Sequence, residues 1–233
     1  MIIIKIFKRS VLEFKKLFFN NFFYMTKSFS QEGEDIVLSR YLNNVDQGFY
    51  IDIGAHHPKR FSNTYYFYKL GWHGINIDPM PGSMKTFTKQ RRRDVNLEIG
   101  ISNTPNELNY YIFNEKALNT FSEQNAKIWS KKPPYEIKNI IKIKTMKLKN
   151  VIEKYKDPDQ KIHFMSIDVE GFEDQVIDSN DWIKYRPILV LLEDHLALST
   201  DLNNLQIVKK MNTLGYELVS KLYYTLIFKD KNV

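Results

Sequence analysis

Acidic and histidine residues recur in this sequence just beyond short apolar runs. Asp52 and Gly54 end the first run, Gly48-Phe-Tyr-Ile-Asp-Ile-Gly54, with His56 and His57 directly behind. Asp78 closes Gly74-Ile-Asn-Ile-Asp78, 26 residues beyond Asp52. Asp168 and Glu170 straddle the end of a third run, in Ser166-Ile-Asp-Val-Glu-Gly-Phe-Glu173, and Glu193, Asp194 and His195 follow a fourth. Carboxylates in such places are costly to bury unless they are paired, hydrated or bound to a cation. A working role is therefore expected of them. A lone histidine carries little weight, but His195 beside two acids is a candidate general base, as are Asp168 and Glu170.

Each run end suggests a contact. A glycine after a buried strand, as at Gly54, lets a ligand approach the backbone. A dinucleotide turn needs three glycines over a pyrophosphate. Here Ala55 or His56 takes the second place and no third glycine follows, which suits a nucleoside without a pyrophosphate. Asp78 is spaced to accept from both hydroxyls of a ribose, with Pro79 or Met80 against an adenine face. The plainer reading is a capping aspartate before a proline turn. Gly100-Ile-Ser-Asn103, including Ile101, is where backbone groups would meet an adenine edge.

Strands must hold these residues. Strands are expected over 48–54, 74–78, 95–101, 162–168, 188–192, 216–220 and 223–228, and half-exposed or edge strands over 108–113 and 140–144. Helices are expected over 62–70, 82–92, 149–155, 172–178 and 203–214, with a further short one after a capping Ser30. Residues 117–135 read as irregular, broken by Pro133 and Pro134. The alternation gives an α/β fold: a mostly parallel sheet flanked by helices, closed by two successive strands. Ligands in such sheets sit at the carboxyl ends of the strands.

Composition narrows the options. There is no cysteine among 233 residues, which removes disulfides, thiolate metal sites and cysteine nucleophiles. The net charge of +7 suggests nucleic acid at first, but residues 1–27 carry +5 of it. Arg91-Arg-Arg93 reads as a solvated helix end, and Lys132-Pro-Pro-Tyr135 as a loop. Nucleic acid is therefore not the expected partner.

Residues 1–24 read as a basic amphipathic helix, with Ile3, Phe7, Val11, Phe14, Phe18 and Phe22 at helical spacing. Three roles fit it: a peripheral anchor on an anionic membrane, a helix docked on protein, or a leader before a start at Met25. The division is a 1–27 helix and a 28–233 domain, in a cytoplasmic protein with peripheral contact at the inner face of the membrane.

Taken together, the chain resembles the FkbM family of S-adenosylmethionine-dependent methyltransferases. The resemblance rests on Phe29-Ser-Gln-Glu-Gly-Glu-Asp35, Tyr50-Ile-Asp-Ile-Gly-Ala-His-His-Pro58, Ser62-Asn-Thr64, Gly71-Trp-His-Gly-Ile-Asn-Ile-Asp-Pro79 and Ile167-Asp-Val-Glu-Gly-Phe-Glu173. It spans residues 29–229. It implies a class I methyltransferase, Rossmann-like fold: a seven-stranded sheet ending in an antiparallel hairpin. It implies S-adenosylmethionine as cofactor, lined by Asp52, Gly54, Asp78, Pro79 and Ile101, with Gln31 and Asp35 closing over the methionine end. The implied acceptor is a hydroxyl of a sugar or natural product. Two departures stand out: His56, His57 and Pro58 replace the family's usual Asn and Gly, and Asp78 replaces a frequent Glu. His57 is thus placed to touch cofactor or acceptor.

A divalent cation is not expected, but Asp168, Glu193 and Asp194 would be its ligands. The rival readings are an RNA methyltransferase and a cofactor-binding scaffold without catalysis. An intact set of acids argues against the scaffold.

Overall fold

The computed structural model describes residues 25–233. The helix and membrane contact expected of residues 1–24 lie outside the described residues. Among those described, no helix is long and apolar enough to cross a membrane.

The chain opens with helix α1 (Glu34–Tyr41), strand β1 (Phe49–Ile53), helix α2 (Tyr65–Lys69) and strand β2 (His73–Ile77). Helix α3 (Met84–Gln90) leads to three strands, β3 (Val95–Leu97), β4 (Gly100–Ile101) and β5 (Glu107–Phe113). Helix α4 (Glu123–Trp129), strand β6 (Ile137–Met146), helix α5 (Leu148–Tyr155), strand β7 (Phe164–Ile167) and helix α6 (Glu173–Ile177) follow. Strand β8 (Leu189–Glu193), helix α7 (Gln206–Thr213) and strands β9 (Tyr216–Lys221) and β10 (Thr225–Asp230) complete it.

Seven strands form one sheet in the order β3-β2-β1-β7-β8-β10-β9. β1 pairs in parallel with β2 and β7, and β7 with β8. Only β10 is reversed, antiparallel to β8 and β9. This is the expected Rossmann-like α/β sheet with its C-terminal hairpin.

All five residues of β1 are buried, because helices cover both faces of the sheet. Phe49, Ile51 and Ile53 pack with Leu148, Val151 and Ile152 of α5 and with Val208 and Met211 of α7. Tyr50 packs on the other face with Leu38, Phe67, Trp72 and Phe164. Each such side chain taken fully from water stabilises the fold by about 1.5–3 kcal/mol. Phe67 and Trp72 therefore serve the core.

Three local expectations change. The strand expected over 95–101 divides. β3 stays in the large sheet, while β4 joins a second sheet of order β4-β6-β5. The Glu98 carboxylate accepts from Gly82 N at 2.8 Å, turning the chain off the sheet edge. Residues 117–135 are not all irregular: Ser122 accepts from Asn125 N and caps α4. Helix α1 starts at Glu34, with Gly33 at φ +90° and not Ser30 in the N-cap position; Ser30 Oγ donates to the Asp35 carboxylate at 2.9 Å and accepts from Asp35 N at 3.3 Å. The alternating Lys strand lies between β4 and β5, yet β4 reaches only Thr145 and Met146. Among the described residues its stretch over 140–144 has one unpaired edge, as the lysines suggest.

Candidate active site

The order of the large sheet reverses between β1 and β7, and a cleft of about 420 Å³ opens there at the carboxyl ends. Gly54, Asp78, Asp168 and Glu193 reach it from the ends of four neighbouring strands. The insert between β5 and β6 roofs it with Leu118, Phe121, Trp129 and Tyr135.

Gly54 sits at φ +86°, where a Cβ would overlap the carbonyl oxygen of Asp168. Only glycine lets the first turn lie against the β7 end. Asp78 faces the cleft while one oxygen accepts from His56 N at 2.9 Å and the other from Met80 N at 2.8 Å. Burial raises its pKa, opposed by those two donors. Each carboxylate oxygen keeps a further acceptor site. Pro79, Ile77 and Ile101 form the apolar walls beside it. An acid with free acceptor sites, a bare glycine turn and apolar walls fit a nucleoside. Asn63 Oδ1, buried and without a hydrogen-bond partner among the described residues, lines a separate small cavity next to Ser166 and Asp168.

The opposite end carries the other acids. Asp168 is solvent-exposed where it lines the cleft, with the other floor acids packed close to it. Desolvation, then the charges of Glu193 and Glu170, hold its carboxyl well above the usual range. Burial also raises Glu193. His195 Nε2 lies 3.6 Å from Glu170 Oε2 and 3.8 Å from Glu193 Oε1. Glu170 above all, then Glu193, raises the imidazole pKa. The rings of Trp129 and Tyr224 meet it edge-on, at 5.9 and 4.4 Å between centroids.

The Glu170 turn is held from both sides. Glu170 adopts φ +53° and Gly171 φ +88°. Glu173 Oε1 accepts from Gly171 N at 3.0 Å and from Val169 N at 3.3 Å; burial lifts its pKa to about 7. From the insert, Thr120 Oγ1 and Asn125 Nδ2 donate to the Glu170 carbonyl at 2.9 and 2.8 Å. A Cβ on Gly171 would strike the Asn125 side chain. The Glu-Gly-Phe-Glu segment thus docks the roof onto the floor.

Several expected residues take other positions. Asp35 does not reach the cleft: it is fully buried and accepts from Ser28 Oγ, Phe29 N and Ser30 Oγ. Asp52 lies beneath the cleft, where it accepts from Thr64 Oγ1 at 3.0 Å; burial raises its pKa to about 6. Asp194 Oδ1 accepts from Leu196 N at 2.8 Å and caps the short helix at 195–198. Among the described residues, ligand atoms of Glu170, Glu193 and His195 lie within 4.8 Å of one another. Gln31 lines the cleft. His57 lines a smaller adjoining cavity of about 290 Å³, and its Nδ1 accepts from Lys59 N and Arg60 N; His56 faces the main cleft.

Arg91 is not a solvated helix end. It is completely buried, 2.8 Å from Asp94 Oδ2, and donates to Pro58 O, Tyr50 Oη and Thr64 Oγ1. Tyr110, Trp129, Tyr135 and Tyr224 were not legible as cleft residues, because no strand-end pattern marks them. The Pro-Pro-Tyr135 segment is a loop, as expected, but its tyrosine faces the cleft.

A family model described as the methyltransferase FkbM domain matches residues 52–218, well over half of the chain. No curated protein matches the chain.

Proposed function

Because the chain belongs to the FkbM methyltransferase domain family, we propose that it transfers a methyl group from S-adenosylmethionine to a hydroxyl of a sugar. The observation that supports this most is the two-ended cleft, with Asp78 and Gly54 at one end and His195 between two carboxylates at the other. S-adenosylmethionine, when bound, supplies a methyl group already activated on a sulfonium centre. Asp78 would hold the ribose hydroxyls through the acceptor sites its backbone donors leave free, with Pro79 and Ile101 against the base. Gln31 and the acids of the floor would meet the cationic methionine end.

The chain's remaining task is to orient the acceptor and take its proton. His195 Nε2 accepts the hydroxyl proton in this reading. Glu170 and Glu193 stabilise the imidazolium that forms. Asp168 and Glu193 repel each other, which favours a proton held on that pair and keeps the floor from accumulating charge. Trp129, Tyr135 and Tyr224 stand beside the acids. A sugar offers the matching surfaces, an apolar C–H face for the rings and hydroxyl donors for the carboxylates. The acidic floor disfavours a phosphate backbone, which weakens the RNA reading.

A sugar of a surface glycan or glycolipid is the acceptor favoured here, reached at the inner face of the membrane through the basic residues 1–24. The test is transfer of label from methyl-labelled S-adenosylmethionine to a panel of sugars, glycolipids and RNA. Base-stable label on a sugar supports the proposal. Label on RNA alone, or none from a protein that binds the cofactor, overturns the sugar assignment.

A further inference from the structure

We propose that Glu32 is a positioning residue for the proton-accepting end of the cleft: it latches the turn that carries Tyr224, and Tyr224 sets the His195 imidazole. The inference rests on the role just given to His195.

The two Glu32 oxygens each lie 3.0 Å from Tyr224 N, and Oε2 lies 3.2 Å from Thr225 N. The Tyr224 amide lies in the turn between β9 and β10 and the Thr225 amide opens β10, with Leu222 N donating to Thr225 O across the turn. One carboxylate from the start of the chain thus takes up two donors at its end. The strap is itself fixed. Gly33 turns it at φ +90°, Glu34 Oε2 accepts from Glu32 N at 2.8 Å, and Glu34 Oε1 accepts from Thr225 Oγ1 at 3.0 Å.

Tyr224 is also tied to the base by its own backbone, since its carbonyl accepts from Asp194 N at 3.0 Å, next to His195. Its ring meets the imidazole at 4.4 Å and 67°. A path of direct contacts therefore runs from Glu32 through Tyr224 to His195. A charge-assisted pair of hydrogen bonds holds such a turn more firmly than a neutral one. Both Glu32 and Tyr224 fall outside residues 52–218, the span of the family model, and Glu32 lies within the Phe29–Asp35 segment of the resemblance.

The test reads the His195 ring protons of the isotope-labelled full chain by NMR, assigned with His195→Gln. Tyr224→Ala removes the aromatic neighbour and defines the shift that its ring causes. Glu32→Ala is expected to move the His195 resonances the same way. The Glu32→Ala/Tyr224→Ala double variant is expected to move them no further than Tyr224→Ala alone. The buried His163 stays unshifted. In Glu32→Gln, which keeps the shape but one acceptor oxygen fewer, the His195 shift is smaller, and the Tyr224 and Thr225 amides exchange about tenfold faster.

A folded Glu32→Ala whose His195 resonances stay at the wild-type position overturns the proposal and leaves Glu32 a local staple. So does additive shifting in the double variant. If Glu32→Ala does not fold, Glu32→Gln decides: freed amides with an unmoved His195 overturn it equally. None of these readings uses cofactor or acceptor, so failure of methyl transfer and failure of the latch remain distinguishable.

Discussion

Glu170 Oε2 stands 3.6 Å from His195 Nε2, buried and without a hydrogen-bond partner among the described residues. The separation is too long for a direct hydrogen bond. The relationship is electrostatic: Glu170, with Glu193 on the same nitrogen, favours the imidazolium.

His195 should therefore titrate above the ordinary histidine value of 6.5. The fold favours the charged ring, so its stabilising contribution is complete below 6.5 and is lost as pH rises through the folded value. Methyl transfer should change in the opposite sense, rising over that interval as Nε2 becomes free to accept a proton. NMR titration of the ring checks this, with Glu170→Gln lowering the midpoint. A wild-type midpoint at or below 6.5 contradicts it.

Arg91 and Asp94 form a fully buried pair under the first turn. Arg91→Ala leaves the buried Asp94 carboxylate without its counter-ion, though still hydrogen-bonded by Tyr50, Gly74 and Asn76, and should cost about 3 kcal/mol in urea unfolding. Arg91→Lys should recover little, since a point charge cannot replace a guanidinium that donates to Pro58, Tyr50 and Thr64 together. An unchanged unfolding midpoint in Arg91→Ala contradicts the assignment.

Trp129 is the tryptophan of the cleft; Trp72 and Trp182 are buried in the core. Trp129→Ala should raise the acceptor KM about three- to tenfold and leave cofactor affinity unchanged. Acceptor should also quench the wild-type fluorescence and not that of Trp129→Phe. Loss of cofactor binding in Trp129→Ala places the residue at the other end of the cleft.

The sheet was legible because its strands are short apolar runs that end in acids. The positions just after those runs gave Gly54, Asp78, Asp168, Glu193 and His195, all of which the fold brings together. Strand-end position alone could not tell which acids turn inward. Asp52 precedes the end of β1 by one residue and points beneath the floor. Asp194 follows β8 by one residue and is spent on a helix cap. Asp35 is consumed by three local donors that the sequence does not weigh. Arg91 was misread because a run of three arginines resembles a solvated patch, and only the tertiary fold supplies its acceptors. The roof was illegible for a different reason. Trp129, Tyr135 and Tyr224 come from an insert and a hairpin turn, where long-range docking and not periodicity sets the orientation.

The central claim is that Asp78 holds a bound S-adenosylmethionine at the end of β2. Calorimetric titration of the purified full chain tests it most directly, comparing wild type with Asp78→Ala at equal thermal stability. The account predicts micromolar binding by the wild type and a loss of about a hundredfold or more in the variant, since two charge-assisted hydrogen bonds disappear. No heat from a folded wild-type protein, or equal affinity in Asp78→Ala, would contradict it.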